Sequence, residues 1–207
     1  MFRFRSLELL AFTASLMLTR SLAAQVMQIA PDDFIISEMG EPEDEIAAAH
    51  NPQVAWNPVD QEYLVVWEGQ ESVTPTTEHG VEIYAVRINR FGQRVGDQIR
   101  VSDMGPAGDT EHEASDPAVA YNPDDHEYLV LWSGDDVNSG EFEIHGQRLS
   151  AAAEPLGENF RITTTDVDEN TSSDAEIPRV AYNSRDQEYM VICTVDDNSA
   201  SANNHYE

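Results

Sequence analysis

The chain has 207 residues, with 39 Asp or Glu against 11 Arg and no Lys, for a formal net charge of −28. Hydrophobic residues make up 41%, enough apolar material to build a core, which excludes full-length disorder. A surface this negative repels phosphate backbones, so nucleic acid is excluded as a partner, and the single Cys193 excludes an intrachain disulfide framework and a Cys-based zinc cluster.

The first predicted element, residues 1–23, is a targeting segment. Arg3 and Arg5 form a positive start, an apolar stretch follows from Leu7 to Leu18, and Ser21 and Ala23 are small residues before a cleavage site. The alternative is an amphipathic first helix, kept open by Glu8 and Arg20. Removing the segment takes away three Arg and one Glu and leaves a net charge of −30. The run is too short to span a bilayer. These features predict a secreted, extracellular or cell-surface protein with no membrane span.

From residue 24 onward the chain repeats itself. Pro52-Gln-Val-Ala-Trp-Asn57 aligns with Pro117-Ala-Val-Ala-Tyr-Asn122 and Pro178-Arg-Val-Ala-Tyr-Asn183. Ten residues after each Pro stands Glu-Tyr, at 62–63, 127–128 and 188–189, and fifteen after each Pro stand Trp67, Trp132 and Cys193. Glu82-Ile83 through Arg87 matches Glu143-Ile144 through Arg148, and Ile36-Ser37-Glu38-Met39-Gly40 matches Val101-Ser102-Asp103-Met104-Gly105.

Each unit reads as four strands, a to d. Strands are expected near 52–56, 62–67, 82–88, 98–102, 117–121, 127–132, 143–149, 159–163, 178–182 and 188–193, rich in Val, Ile, Tyr and Trp. An opening strand d lies at 33–38, unit one spans 52–102, unit two 117–163, and an incomplete unit three 178–207. Asn57-Pro58-Val59-Asp60 and Asn122-Pro123-Asp124-Asp125 carry turn chemistry. Helix should be nearly absent, because no window shows a 3.6 period. Strand b is apolar at consecutive positions, so both of its faces must be covered. The fold class this implies is all-β, with four-stranded antiparallel repeats arranged as blades of a partial β-propeller. A string of sandwich modules is the competing arrangement, disfavoured because such modules need about seven strands.

The repeats resemble a tandem-repeat family of secreted bacterial β-propeller-like proteins, carried by P-x-V-A-Y-N, E-Y-L-V-V-W, E-I-x-G-Q-R and I-S-D-M-G. Residues 117–148 and 99–105 match closely. The resemblance implies an extracellular surface or matrix protein and supplies no catalytic residues. Cys193 in place of Trp, Ala85-Val86 in place of Gly-Gln and Thr164-Thr165 in place of Asp-Met depart from it.

The d-to-a loops, 38–51, 103–116 and 164–177, each hold five acids and no Lys or Arg. Hard cations take six to eight oxygen ligands, so Asp44, Asp109, Asn170, Asp103, Glu111, Asp116, Asp166 and Asp168 are the candidate calcium ligands. A solvated acidic surface accounts for the same residues. Connectivity puts the d–a and b–c loops on one face, where Asp135 and Asp136 join the acids. Asp60, Asp125 and Asp186 are expected to cap their turns, Arg87 and Arg148 to pair with carboxylates on neighbouring strands, Trp56, Trp67 and Trp132 to sit in the core, and Cys193 to be a buried thiol. Asn170-Thr-Ser172 fits a glycosylation acceptor.

Nucleophile-elbow, zinc-protease and phosphate-loop signatures are missing. The leading reading is therefore a secreted non-catalytic surface or matrix module that binds an extracellular protein or glycan, or further copies of itself, with Ca2+ as candidate cofactor. The second reading is part of a propeller glycoside hydrolase or lyase using paired carboxylates.

Overall fold

In the computed structural model the described residues are 34–39, 48–70, 80–105, 112–135, 141–165 and 174–195, with the backbone of three short strands before them. Those three are β1 (Arg3–Phe4), β2 (Leu7–Leu9) and β3 (Val26–Gln28). Then come β4 (Phe34–Ile35), β5 (Ala48–Asn57), β6 (Glu62–Gln70), β7 (Glu82–Asn89), β8 (Arg94–Arg100), β9 (Ala114–Asn122) and β10 (Glu127–Gly134). The last four are β11 (Glu143–Ser150), β12 (Phe160–Arg161), β13 (Ala175–Asn183) and β14 (Glu188–Val195). Among the described residues there is no α-helix, hence none long and apolar enough to cross a membrane.

The repeats fold as antiparallel sheets. Unit one is the antiparallel sheet β5-β6-β7-β8, unit two is β9-β10-β11-β12, and unit three contributes the pair β13-β14. Strand a begins three or four residues earlier than expected, because it continues through a bulge across the Pro: pairing shifts between His50 and Gln53, between Leu131 and Ser133 opposite Asp116–Pro117, and between Glu176 and Arg179. Asn51, Asp116 and Ile177 sit at those bulges with φ of 47°, 50° and 54°. Strand d of unit two shrinks to two residues.

The a–b turns are built as their residues dictate. Asn57 Oδ1 accepts from the amides of Val59 and Asp60, at 2.9 and 3.1 Å, and Asn57 Nδ2 donates to Asp60 at 2.9 Å. Asn122 repeats all three bonds with Asp124 and Asp125, and Asn183 donates to Asp186 at 2.9 Å. A polar side chain thus satisfies turn amides that have no ladder partner.

The sheets stack face to face. Leu64, Val66, Ile83 and Ala85 of sheet one pack against Tyr128, Val130 and Trp132 of sheet two. The opposite side of β10, Leu129 and Leu131, packs with Ala118 and Ile144 against Val180, Tyr189, Val191 and Cys193 of unit three. Strand b of units one and two is therefore covered on both faces, as its uninterrupted apolar run requires. Each fully buried Leu or Ile in these layers contributes about 1.5–3 kcal/mol.

The Ile/Val-Ser-x-Met segment links one blade to the next. Met104 leaves β8 and lies on Trp132, whose Nε1 donates to the Met104 sulfur at 3.2 Å. Residues 34–39 do the same for sheet one: Ile36 and Met39 cover Val65 and Trp67. The same side-chain bridge fastens both segments. Gln98 Oε1 accepts the Glu38 amide at 2.8 Å, and Asn159, one repeat later, accepts the Asp103 amide at 2.9 Å. The opening segment thus holds the place that Val101–Met104 holds one blade later. The whole is a partial β-propeller, all-β and not closed into a ring.

Candidate functional site

The strands at position a come together. β9 lies against β5 on one side and against β13 on the other, so this edge of each sheet is the axial one. At the end where the d–a and b–c loops emerge, the first residues of strand a meet the last residues of strand b, with His50 opposite Glu68.

Residues from two blades join there. Asn51 Nδ2 of β5 donates to Asp116 Oδ1 of β9 at 3.2 Å, and the Asp116 amide donates to Glu68 Oε2 of β6 at 2.9 Å. Left-handed backbone at Asp116 turns that amide out of its own ladder and toward the neighbouring blade. One blade later the Ile177 amide donates to Ser133 Oγ at 3.1 Å. The bridge is thus a feature of the repeat, but its side chains are not: Glu68 corresponds to Ser133 and Thr194, and Asp116 to Asn51 and Ile177. Among the described residues, only the first blade junction carries a carboxylate at both of these positions. Glu68, Asp116 and Asn51, at this axial mouth, all keep some exposure.

The sequence hid this pair. Glu68 and Asp116 are 48 residues apart, and each looks like an ordinary member of an acid-rich loop. The readable signal was the departure of both from their repeat equivalents.

Two other carboxylates are buried and fully engaged. Glu82 accepts from Arg100, from the Ser102 hydroxyl and from the Met104 amide. Glu143 accepts from Arg161, the Thr163 hydroxyl, and the amide and hydroxyl of Thr165. Burial pushes the Glu82 carboxyl above the ordinary glutamate value, against its donors. Burial acts on Glu143 in the same direction, but its hydroxyl and amide donors carry it below that value. These groups fasten strand c to the end of strand d.

Of the candidate cation ligands, Asp103 and Asp116 lie among the described residues, and the structure does not bring them together. Asp103 is exposed and sits 3.3 Å from Arg100, while its amide bonds Asn159. Asp116 belongs to the axial bridge. Asp44, Asp109, Glu111, Asp166, Asp168 and Asn170 lie outside the described residues, as does Asp136. Among the described residues no group of three or more His, Cys, Asp or Glu is placed to hold a metal ion. Asp135, expected on the loop surface, is instead buried at 2% exposure, with its amide donating to Glu113 at 3.0 Å.

The arginines behave as expected: Arg87 pairs with Glu62 at 3.1 Å and Arg148 Nε donates to Glu127 at 2.9 Å, each on the adjacent strand b. Trp67 and Trp132 are fully buried, but Trp56 is 41% exposed, because among the described residues no blade packs on its face of β5. Cys193 is half-buried against sheet two, and burial pushes its thiol up.

No family model and no curated protein matches the chain. Among solved structures it is similar to an N-acetylgalactosamine deacetylase from F. plautii in complex with blood group B trisaccharide, at 12% identity and a TM-score of 0.50, covering 85% of this chain and 52% of that one. It is similar to Zg3597, a family 117 glycoside hydrolase produced by the marine bacterium Zobellia galactanivorans, at 9% identity and a TM-score of 0.48, covering 81% and 58%. It is also similar to the endo-arabinase from Bacteroides thetaiotaomicron, at 14% identity and a TM-score of 0.45, covering 77% and 54%. The chain spans about half the length of each of these structures. At such identities the likeness is one of fold. Against the expectation of a non-catalytic surface or matrix module, the likeness to the deacetylase favours the second reading, part of a propeller enzyme acting on carbohydrate. The physical reason for the error is local. Signature motifs report only residues close in sequence, whereas the axial junction of two blades links Glu68 to Asp116 across 48 residues.

Proposed function

We infer that the chain is part of a propeller-type carbohydrate-active enzyme whose site lies at the axial mouth, with Glu68 and Asp116 as its acidic pair. The observation that carries this reading is the blade junction at Asp116, where Glu68 of one blade accepts the Asp116 amide of the next while the Asp116 carboxylate accepts from Asn51. Cleavage of a glycosidic bond takes two carboxyl groups, one to protonate the leaving oxygen and one to activate water or attack the anomeric carbon. Here Glu68 is oriented by the Asp116 amide, and Asp116 by the Asn51 side chain. Strands, not free loops, hold both groups, which restricts their motion relative to each other. The fold likeness to an enzyme solved with a trisaccharide supports a glycan as the ligand. The targeting pattern of residues 1–23 suits an enzyme that meets polysaccharide outside the cell.

The test is turnover of a panel of arabinans, galactans and N-acetylgalactosamine-bearing glycans by the full chain. Glu68→Gln and Asp116→Asn should each lower the rate by about 10²–10⁴-fold, with the fold retained by circular dichroism. Turnover indifferent to both substitutions would remove the pair from the chemistry.

A further inference from the structure

We propose that the N-terminal segment is a placeholder strand, which fills the strand-c place beside the opening segment 34–39 and covers that sheet edge until cleavage after Ala23 removes it. The observation is a register that recurs in three ladders. In sheet one, strand c meets strand d at Tyr84↔Arg100 and Ala85↔Ile99, and in sheet two at His145↔Arg161 and Gly146↔Phe160. β1 meets β4 at Arg3↔Ile35 and Phe4↔Phe34, antiparallel like the others. Ile35 stands two residues before Ser37, as Arg100 stands before Ser102 and Arg161 before Thr163. The two positions of β4 that β1 pairs are therefore the same two that a blade's own strand c pairs.

Residues 34–39 lie on the leading face of sheet one, the side turned away from sheet two, and Gln98 fastens them there through the Glu38 amide. β4 is thus a strand d whose ladder is filled, among the described residues, by β1 alone. Without it, the strand would present its amides and carbonyls to the edge of any other sheet. β1 supplies the ladder but not the joint. Each blade puts a glutamate, Glu82 or Glu143, one residue before the first of these pairs, and Ser102 or Thr163 donates to it. Ser37, buried at 7% exposure, stands in the place of Ser102 and Thr163, but the residue before Arg3 in sequence is Phe2. The segment fits the ladder and lacks the carboxylate, which suits a temporary occupant.

Chain continuity is what holds it. β2 pairs β3 at Leu7↔Gln28, Glu8↔Met27 and Leu9↔Val26, so paired residues flank the expected cleavage site on both sides. While the chain is intact both pairings are intramolecular, and the tether supplies a high effective concentration. A two-stranded contact by itself is marginal in water. Once the tether is cut, the segment should leave and expose the edge of β4. This device stands apart from the glycan chemistry of the axial mouth and does not depend on it.

Hydrogen exchange and cross-linking of the full chain test the proposal. Phe4→Pro removes a main-chain donor from β1. Amide exchange in segment 34–35 should then be about tenfold faster or more than in the parent, with the circular dichroism of the sheets unchanged. Arg3→Cys combined with Ile35→Cys should form a disulfide on mild oxidation, located by peptide mapping. Directly opposite residues of an antiparallel pair lie about 4.5–5.5 Å apart at Cα, within the span of a disulfide. In a chain given a specific protease site after Ala23, cutting should release residues 1–23 on gel filtration and raise exchange at 34–35 as Phe4→Pro does. Exchange at 34–35 indifferent to Phe4→Pro, failure of the 3–35 disulfide to form, or a cut segment that stays bound would each overturn the proposal.

Discussion

Ser102 donates its hydroxyl to the Glu82 carboxylate while accepting the amide of Ile83 at 2.7 Å, so one side chain joins the entry of strand c to the exit of strand d. Thr163 does the same one blade later, accepting the Ile144 amide at 2.8 Å and donating to Glu143. A hydroxyl that both donates and accepts is what this position needs, which is why Ser and Thr interchange there.

The two carboxylates at these joints should respond oppositely to pH. Glu143 lies below the ordinary value of 4.5, so its stabilisation is present above that value and is lost as pH falls through its folded-state value. Glu82 lies above 4.5, so its contribution favours the fold below 4.5 and is lost as pH rises through its folded-state value. At pH 7, Glu143→Gln should destabilise by about 1–3 kcal/mol, as expected when charged hydrogen bonds are removed, and Glu82→Gln by less. Urea unfolding at pH 7 and pH 4 checks this: the E143Q deficit should shrink at the lower pH. A deficit independent of pH would contradict the assignment.

The Met104–Trp132 contact should be coupled to the glycine beneath it. A Cβ on Gly134 would stand 2.8 Å from the Met104 methyl and 2.9 Å from its sulfur and from the His145 ring. Gly134→Ala should cost about 1–3 kcal/mol by overpacking, and Met104→Ala about 2–5 kcal/mol by leaving a cavity beside the indole. In the double variant the added methyl occupies part of that cavity, so the losses should sum to less than the two singles. A double-mutant cycle by denaturant unfolding reads the coupling; strict additivity would show that the three side chains do not share one space.

Ile177 carries a β-branched side chain at φ 54°, where the other two blades place Asn51 and Asp116. Left-handed backbone costs a β-branched residue about 1–2 kcal/mol, and Asn tolerates it. The side chain is 42% exposed, so little packing is lost on replacement. Ile177→Asn should raise stability by about 1 kcal/mol without disturbing the amide bond to Ser133. An unchanged or lowered thermal midpoint would show that the isoleucine side chain contributes packing that outweighs its backbone strain.

Much of this architecture was legible in the chain. Strand positions, turn chemistry and the Arg87–Glu62 and Arg148–Glu127 pairs follow from short-range patterns: consecutive apolar residues in strand b, Asn three residues before Asp, and charges on adjacent strands held in antiparallel register. These depend on residues close in sequence or related by the repeat, so the sequence by itself determined them. What lay between blades did not follow. Trp56 and Trp67 have the same composition and similar neighbours, yet one is open and the other sealed, because 34–39 covers only part of the leading face. Asp135 is buried although its loop is acidic. Glu68 and Asp116 became a pair only when the bulge at Asp116 turned its amide across the blade junction. Tertiary structure alone decided these, because inter-blade neighbours are set by how whole sheets stack, and that packing joins residues no local period connects.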